Sequence, residues 1–223
     1  MRPLWLLGAY HKTGCILAIK LLNLLSGGYV RVQGPLPAPL PSLDARPFRH
    51  YWFSPNASSL ATLPDDVDYR FVHFARDPAE LAVSAYRYHG AAAAGERWLD
   101  AFRAAGEIDK MVVNAGLLAA DPRALTVRMS GFHRNFAAAA ACVVAFLAPV
   151  RPGFDAEAHA KRAAHLDPTA PTLSKRDAAH VTRGRHNDTA LVAALRRLPH
   201  IARATAALDA ATAAATARCP LAS

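Results

Sequence analysis

The amino-acid sequence predicts a three-layer α/β/α domain around a central parallel sheet. Short apolar segments with strand character alternate with longer segments of helical periodicity, the pattern typical of strand–helix–strand units. The chain has 223 residues, enough for one such domain with a substantial core. We therefore expect a single domain over residues 1–205, followed by an alanine-rich C-terminal helix or tail over residues 206–223.

The first unit is a strand, a tight loop and a helix. Leu4–Ala9 is an apolar run of strand length, and Ile16–Leu25 has the periodicity of an amphipathic helix. Residues 26–46 are rich in glycine and proline, which predicts a surface connection.

Two further strands are predicted at Phe48–Phe53 and Tyr69–Phe74, both rich in aromatic or β-branched residues. The second leads into a helix over Ala79–Tyr88. Asp77 is placed to cap this helix, and Pro78 suits its first turn.

The rest of the chain continues the alternation. Helical patterns are expected at 92–105 and 107–119, and a strand at Ala124–Met129. Two later helices are expected at Asn135–Leu147 and Thr189–Leu198.

Composition indicates an anionic partner without identifying it. The formal net charge is +9 and the isoelectric point is about 9.9, which favours nucleic acid, acidic lipid or a phosphorylated or sulfated small molecule. No nucleic-acid-binding module is recognisable, so nucleic acid is not an expected partner. The sequence does not predict an oligomeric state.

The cysteines and apolar runs bear on the compartment. Cys15, Cys142 and Cys219 are odd in number and lack metal-ligand spacing, which argues against a disulfide framework or a zinc site. The apolar runs Leu4–Ala9 and Phe136–Val150 are shorter than a membrane span. We expect a soluble cytoplasmic protein without stable membrane insertion. The Golgi lumen is an alternative if an N-terminal segment is missing.

The loop after the first strand has the composition of an anion-binding turn. Gly14 allows close backbone approach, Lys12 adds a full positive charge, and a helix N-terminus follows. In the P-loop pattern G-x-x-x-x-G-K-[ST], glycine directly precedes the lysine. Here Lys12 comes before Gly14, which argues against a kinase or ATPase.

A second anion motif follows the predicted strand Tyr69–Phe74. Arg76 stands at the end of that strand, and Ser84 lies eight residues later on the following helix. The guanidinium group of an arginine matches phosphate oxygens, and a serine hydroxyl adds a neutral donor. Both can reach one phosphate if the ligand lies along the helix.

These two motifs together resemble the sulfotransferases that use PAPS (3'-phosphoadenosine 5'-phosphosulfate), which have a P-loop-NTPase-like fold. The order lysine, threonine, glycine after a first strand is similar to their 5'-phosphosulfate loop. Arg76, Pro78, Ser84, Tyr86 and Tyr88 are similar to their 3'-phosphate motif. Arg183-Gly184 resembles part of their late basic loop over the nucleotide.

The resemblance implies sulfation: transfer of a sulfuryl group from PAPS to a hydroxyl or amine of a small molecule or glycan, with PAP as product and no metal. It implies that the donor is bound by these residues: Lys12, Thr13, Gly14, Cys15, Ile16, Arg76, Ser84, Arg183 and Gly184.

The same resemblance suggests the catalytic groups. Lys12 would stabilise charge on the leaving oxygen, and His50 would take the acceptor proton. His89 and Glu96 are alternative bases, and His11 is another neighbour of the loop.

The chain also departs from the family pattern. Cys15 and Ile16 replace threonines, Leu17 replaces a tryptophan that stacks on adenine, and His11 replaces a proline. Two alternatives therefore stay open: a non-catalytic relative that binds PAP or another nucleotide, and a P-loop nucleotide phosphotransferase.

Overall fold

The strands form one parallel sheet. The computed structural model describes residues 2–10, 13–33, 36, 48–89, 106–150, 153–167 and 189–219. The strands are β1 (Arg2–Ala9), β2 (Val30–Gln33), β3 (Phe48–Phe53), β4 (Val67–Ala75) and β5 (Ala124–Arg128). Their order across the sheet is β2-β3-β1-β4-β5, and every neighbouring pair is parallel. The predicted α/β class with a central parallel sheet is confirmed.

Helices cover both faces of the sheet. They are α1 (Cys15–Ser26), α2 (Pro78–His89), α3 (Glu107–Leu118), α4 (Met129–Arg134), α5 (Phe136–Leu147), α6 (Ala156–Ala164), α7 (Thr189–Arg196) and α8 (Pro199–Arg218). Two 3₁₀ turns lie at Ala57–Thr62 and Ala148–Val150. None of the helices in the described ranges is both long and apolar enough to cross a bilayer.

Alternation along the strands divides the core between the two faces. Leu7 of β1 and Val72 of β4 are fully buried in a cluster with residues of α1, α5 and α6. Leu4 and Leu6 point to the opposite face and pack with Leu118 of α3. Burial on both faces explains why β1 has no polar side chain from Leu4 to Ala9.

Local signals placed several elements correctly. The bounds of β3 agree with the predicted strand. Asp77 caps α2 as expected, because its Oδ1 accepts hydrogen bonds from the N–H groups of Ala79 and Glu80, each at 3.0 Å. The predicted helix over 92–105 lies outside the described residues.

The short strand β2 corrects the prediction of a plain surface connection over 26–46. Val30–Gln33 pairs in parallel with β3, from Val30 opposite His50 to Gln33 opposite Phe53. Only Val32 of β2 is buried. An edge strand that buries one side chain has almost no hydrophobic pattern, so its pairing comes from β3 and not from its own sequence.

A disulfide corrects the expectation drawn from the cysteine count. Cys142 on α5 and Cys219, just after α8, are joined, and their Cα atoms lie 6.0 Å apart. This spacing is within the ordinary range for a disulfide. The remaining cysteine, Cys15, is a thiol.

The C-terminal helix α8 crosses the predicted boundary at residues 205 and 206. Leu208 is fully buried, and it packs with Leu81 of α2, Met111 of α3 and Tyr10. The first part of the alanine-rich segment therefore shares the core of the sheet.

Candidate functional site

The candidate site lies where β1, β3 and β4 end. β1 pairs with both neighbours, Ala9 opposite Phe53 on one side and Gly8 opposite His73 on the other. The segments that follow these strands therefore emerge at the same carboxyl edge of the sheet. In open parallel sheets this edge is where ligands generally bind. The loop after β1 and the motif beginning at Arg76 are thus brought together, as their proposed roles require.

Gly14 shapes the start of α1. Its φ of 97° and ψ of 23° place it in the left-handed region. A Cβ atom there would lie 2.7 Å from Met129 Sδ and 3.4 Å from Phe74 Cδ1, so a side chain does not fit. The first N–H groups of an α-helix lack acceptors within the helix and attract anions, so α1 directs partial positive charge at this loop.

Side chains of the loop itself hold its turn. The Tyr10 N–H donates to Thr13 Oγ1 at 2.7 Å, and the Thr13 hydroxyl donates to Tyr10 O at 3.0 Å. The Cys15 thiol donates to the same carbonyl at 2.8 Å. Thr13 is fully buried, whereas Ile16 is 36 % exposed. The predicted contribution of Thr13 and Cys15 to anion binding therefore falls to their main chain.

Arg76 follows β4 directly and lies against α2. Its side chain is only 18 % exposed, and Nε lies 3.5 Å from Glu80 Oε2. Burial lowers the pKa of Arg76, while the carboxylates of Glu80 and Asp77 oppose that effect. An arginine keeps its charge despite such burial, so Arg76 places a positive group at the carboxyl edge.

Ser84 lies on α2, one turn beyond Glu80 and eight residues after Arg76. Glu80 and Ser84 are four residues apart and so share a face of the helix. Ser84 is 4 % exposed, and its hydroxyl has no hydrogen-bond partner among the residues that the structure describes. A buried hydroxyl without a partner is destabilising, which makes it a good position for a ligand oxygen.

A buried polar network, which the sequence did not reveal, supports the start of the loop. His73 of β4 lies with Nε2 3.1 Å from the Tyr10 hydroxyl and Nδ1 3.2 Å from Thr126 Oγ1. Asn114 Nδ2 donates to the Tyr10 hydroxyl at 2.5 Å, and that hydroxyl donates to Lys110 O at 3.3 Å. Burial lowers the pKa of His73 to about 3, so the imidazole is neutral.

The same side of α3 also fixes the segment after β3. Asn114 Nδ2 donates to Pro55 O at 2.7 Å, and Asn114 Oδ1 accepts from the Ala57 N–H at 2.9 Å. The Ser54 hydroxyl donates to Glu107 Oε1 at 3.3 Å, and the Ser54 N–H donates to Ala9 O at 2.9 Å.

Glu107 and Asn114 are polar residues within the buried stripe of α3, whose other members are Met111, Ala115 and Leu118. That interruption of an apolar helical face was the sequence signal that could have drawn attention to both residues.

His50 is not among the residues at the carboxyl edge. It lies inside β3 opposite Leu6, is 3 % exposed, and neither ring nitrogen has a hydrogen-bond partner within the described part of the chain. Burial lowers its pKa. The end of β3 is three residues away, roughly 10 Å along a strand. A base must be within hydrogen-bond reach of the proton it takes, so the position of His50 does not support its predicted role.

Several predicted site residues lie outside the described residues. They are His11, Lys12, Glu96, Arg183 and Gly184, and of His89 only the backbone, at the end of α2, is described. Across the described ranges, no group of three or more His, Cys, Asp or Glu side chains could hold a metal ion.

Comparison with known proteins shows the fold. No protein-family model and no curated protein sequence matches the chain. Among solved structures it is similar to the mouse sulfotransferase SULT7A1, crystallised in complex with PAP, with a TM-score of 0.53 and 12 % sequence identity. The similarity covers 99 % of this chain and 87 % of the mouse chain. The chain therefore has a sulfotransferase-like α/β fold.

Proposed function

We propose that this protein is a sulfotransferase that binds PAPS at the carboxyl edge of its sheet and sulfates a hydroxyl or amine group of a small molecule or glycan. The observation that carries the proposal is the placement of Arg76 and Ser84 along the start of α2. Arg76 is a buried cation two residues before the helix, and Ser84 is a buried hydroxyl on it that has no hydrogen-bond partner among the described residues. Both follow β4, whose end lies beside the loop shaped by Gly14.

The two anion-binding features suit the two ends of the donor. The loop after β1 and the N-terminus of α1 would hold the 5'-phosphosulfate, with Lys12 supplying the positive charge. Arg76 and Ser84 would hold the 3'-phosphate, with Arg183-Gly184 as a further contact. The similar fold of a PAP-bound sulfotransferase supports this choice of nucleotide.

Transfer breaks the bond between sulfur and the bridging oxygen of the donor and forms a bond from sulfur to the acceptor oxygen or nitrogen. The electron pair of the broken bond stays on the 5'-phosphate of PAP. Lys12 would stabilise that developing charge, a contribution that is often large because the charge is fixed in advance. The acceptor loses a proton, which needs a base near the same edge.

Glu107 is the candidate base that the geometry favours over His50. Its Oε1 accepts from the Ser54 hydroxyl, and Ser54 lies directly against the end of β1 through its bond to Ala9. A carboxylate at this edge is beside the loop that would carry the sulfuryl group. We expect Glu107→Gln to lower kcat about a hundredfold while PAP affinity changes little.

Calorimetric titration with PAP, AMP and ATP–Mg²⁺ tests the donor assignment. Arg76→Gln removes a charge-assisted contact and is expected to weaken PAP binding by roughly 10- to 100-fold while sparing AMP, which lacks the 3'-phosphate. Arg70→Gln is the matched control, because Arg70 lies earlier on β4 in an ion pair with Asp68. Equal losses in both variants, or tighter binding of ATP–Mg²⁺ than of PAP, would contradict the assignment.

Ser84→Ala separates ligand binding from folding. Removing a buried hydroxyl without a partner should leave the free energy of unfolding unchanged or raise it, yet weaken PAP binding by roughly 2- to 10-fold. Ser58→Ala, in an exposed turn, is the control.

Release of PAP from PAPS across a panel of phenols, amines and glycans then tests catalysis. PAP binding without release for any acceptor would favour the non-catalytic alternative. Preference for ATP–Mg²⁺ would favour the phosphotransferase.

A further inference from the structure

One carboxylate lies between two arginines at the start of α2. Glu80 Oε2 is 3.5 Å from Arg76 Nε, and Glu80 Oε1 is 3.8 Å from Arg196 Nη2. Arg196 is the last residue of α7 and also contacts Asp77 Oδ2 at 3.1 Å. Two positive and two negative side chains thus meet where the 3'-phosphate is proposed to bind.

The four groups are held unequally. Asp77 uses Oδ1 to cap α2 and Oδ2 to bind Arg196, so its carboxylate is fixed on both sides. Both contacts of Glu80 exceed ordinary hydrogen-bond length, and its side chain is 33 % exposed. Of the two carboxylates, Glu80 is therefore the less constrained.

The position of Glu80 has a consequence for anion binding. A phosphate that approaches Arg76 meets a carboxylate already in place, and two like charges close together repel each other. Glu80 is bridged to Arg196 through its other oxygen. A small rotation of its side chain towards Arg196 would move the carboxylate away from Arg76 Nε without leaving Glu80 unpaired.

We propose that Glu80 occupies the place of the phosphate on Arg76 in the unliganded protein, and that Arg196 is the positioning residue that receives Glu80 when the phosphate binds. This rests on the proposed function, because it assumes that Arg76 binds the 3'-phosphate. Arg196 acts on the ligand through Glu80 and does not itself contact the phosphate.

The test is a set of PAP titrations with Glu80→Gln, Arg196→Gln and the double variant. Glu80→Gln should tighten PAP binding by roughly 3- to 10-fold, because the competing charge is gone. Arg196→Gln should weaken PAP binding by a similar factor. In the Glu80→Gln background, Arg196→Gln should have no effect, since its action requires the carboxylate.

Arg197→Gln is the matched control. This variant removes one positive charge, as Arg196→Gln does, but at the neighbouring exposed residue Arg197. No ion pair of Arg197 is found within the described residues. AMP is the control ligand, and its affinity should not change in any variant. Thermal unfolding of each variant checks that the fold is intact.

The outcomes are distinct. Weaker PAP binding by Glu80→Gln would show that Glu80 orients Arg76 and would overturn the proposal. An effect of Arg196→Gln equal to that of Arg197→Gln, or one that persists without Glu80, would overturn it as well. If the wild-type protein binds no PAP, the proposed function fails and the proposal fails with it; PAP binding with the wrong pattern among the variants refutes the Glu80 exchange alone.

Discussion

His73 should make the protein sensitive to mild acid. The imidazole is fully buried between Tyr10 and Thr126, and burial lowers its pKa to about 3. In the unfolded chain a histidine has a pKa of about 6.5. Below pH 6.5 the unfolded state therefore binds a proton that the folded state does not accept, and the free energy of unfolding falls as the pH falls.

The size of the effect follows from the two pKa values. Each pH unit between them costs about 1.4 kcal/mol, so the loss is about 2 kcal/mol at pH 5 and approaches about 5 kcal/mol near pH 3. Such a loss is a large part of the stability of an ordinary domain.

Urea unfolding at pH 7.5, 6 and 5 measures this loss in the wild-type protein and in His73→Gln. The glutamine amide keeps hydrogen-bonding groups for both neighbours but does not titrate. Burial also lowers the pKa values of His50 and His133, and the His133 value is further lowered by the charge of Arg76. Both proteins share these effects, so the difference between them isolates His73. Parallel pH profiles for the two proteins would refute the reasoning.

Three further outcomes are expected. Gly14→Ala should lower the free energy of unfolding by about 1–3 kcal/mol and weaken PAP binding, because the added Cβ would contact Met129. Gly116→Ala is the control: the space around Gly116 is open, so neither the stability nor PAP binding should fall in this way. Cys219→Ser should cost about 4 kcal/mol by opening a loop of 77 residues, and a reducing agent should then destabilise the wild type but not the variant. His50→Leu should leave turnover unchanged in an assay of PAP release, and a hundredfold loss would restore His50 as a base.

The sequence predicted the elements whose signals are local. The strand β3 and the capped start of α2 depend on residues a few positions apart, and both were placed correctly. The spacing of Arg76 and Ser84 around the start of α2 is likewise local. By contrast, β2 depends on pairing with β3, and its own four residues give little indication of it.

Most of the support around the site depends on contacts between distant residues. Tyr10 and His73 are 63 positions apart, and Asp77 and Arg196 are 119 apart. The disulfide joins residues 77 positions apart, so a count of cysteines could not reveal it. The role of His50 as the base stays a prediction, and its buried position inside β3, three residues before the end of the strand, does not favour it.

The packing of α8 has a practical consequence for anyone shortening this chain. Leu208 and Ala211 pack in one buried cluster with Tyr10, the residue from which the loop after β1 departs. The alanine-rich composition of residues 206–223 suggests a dispensable tail. Ending the chain before residue 206 would remove Leu208 and Ala211 and expose Tyr10 and its neighbours in this cluster. A truncated protein that binds no nucleotide would therefore say little about the intact one.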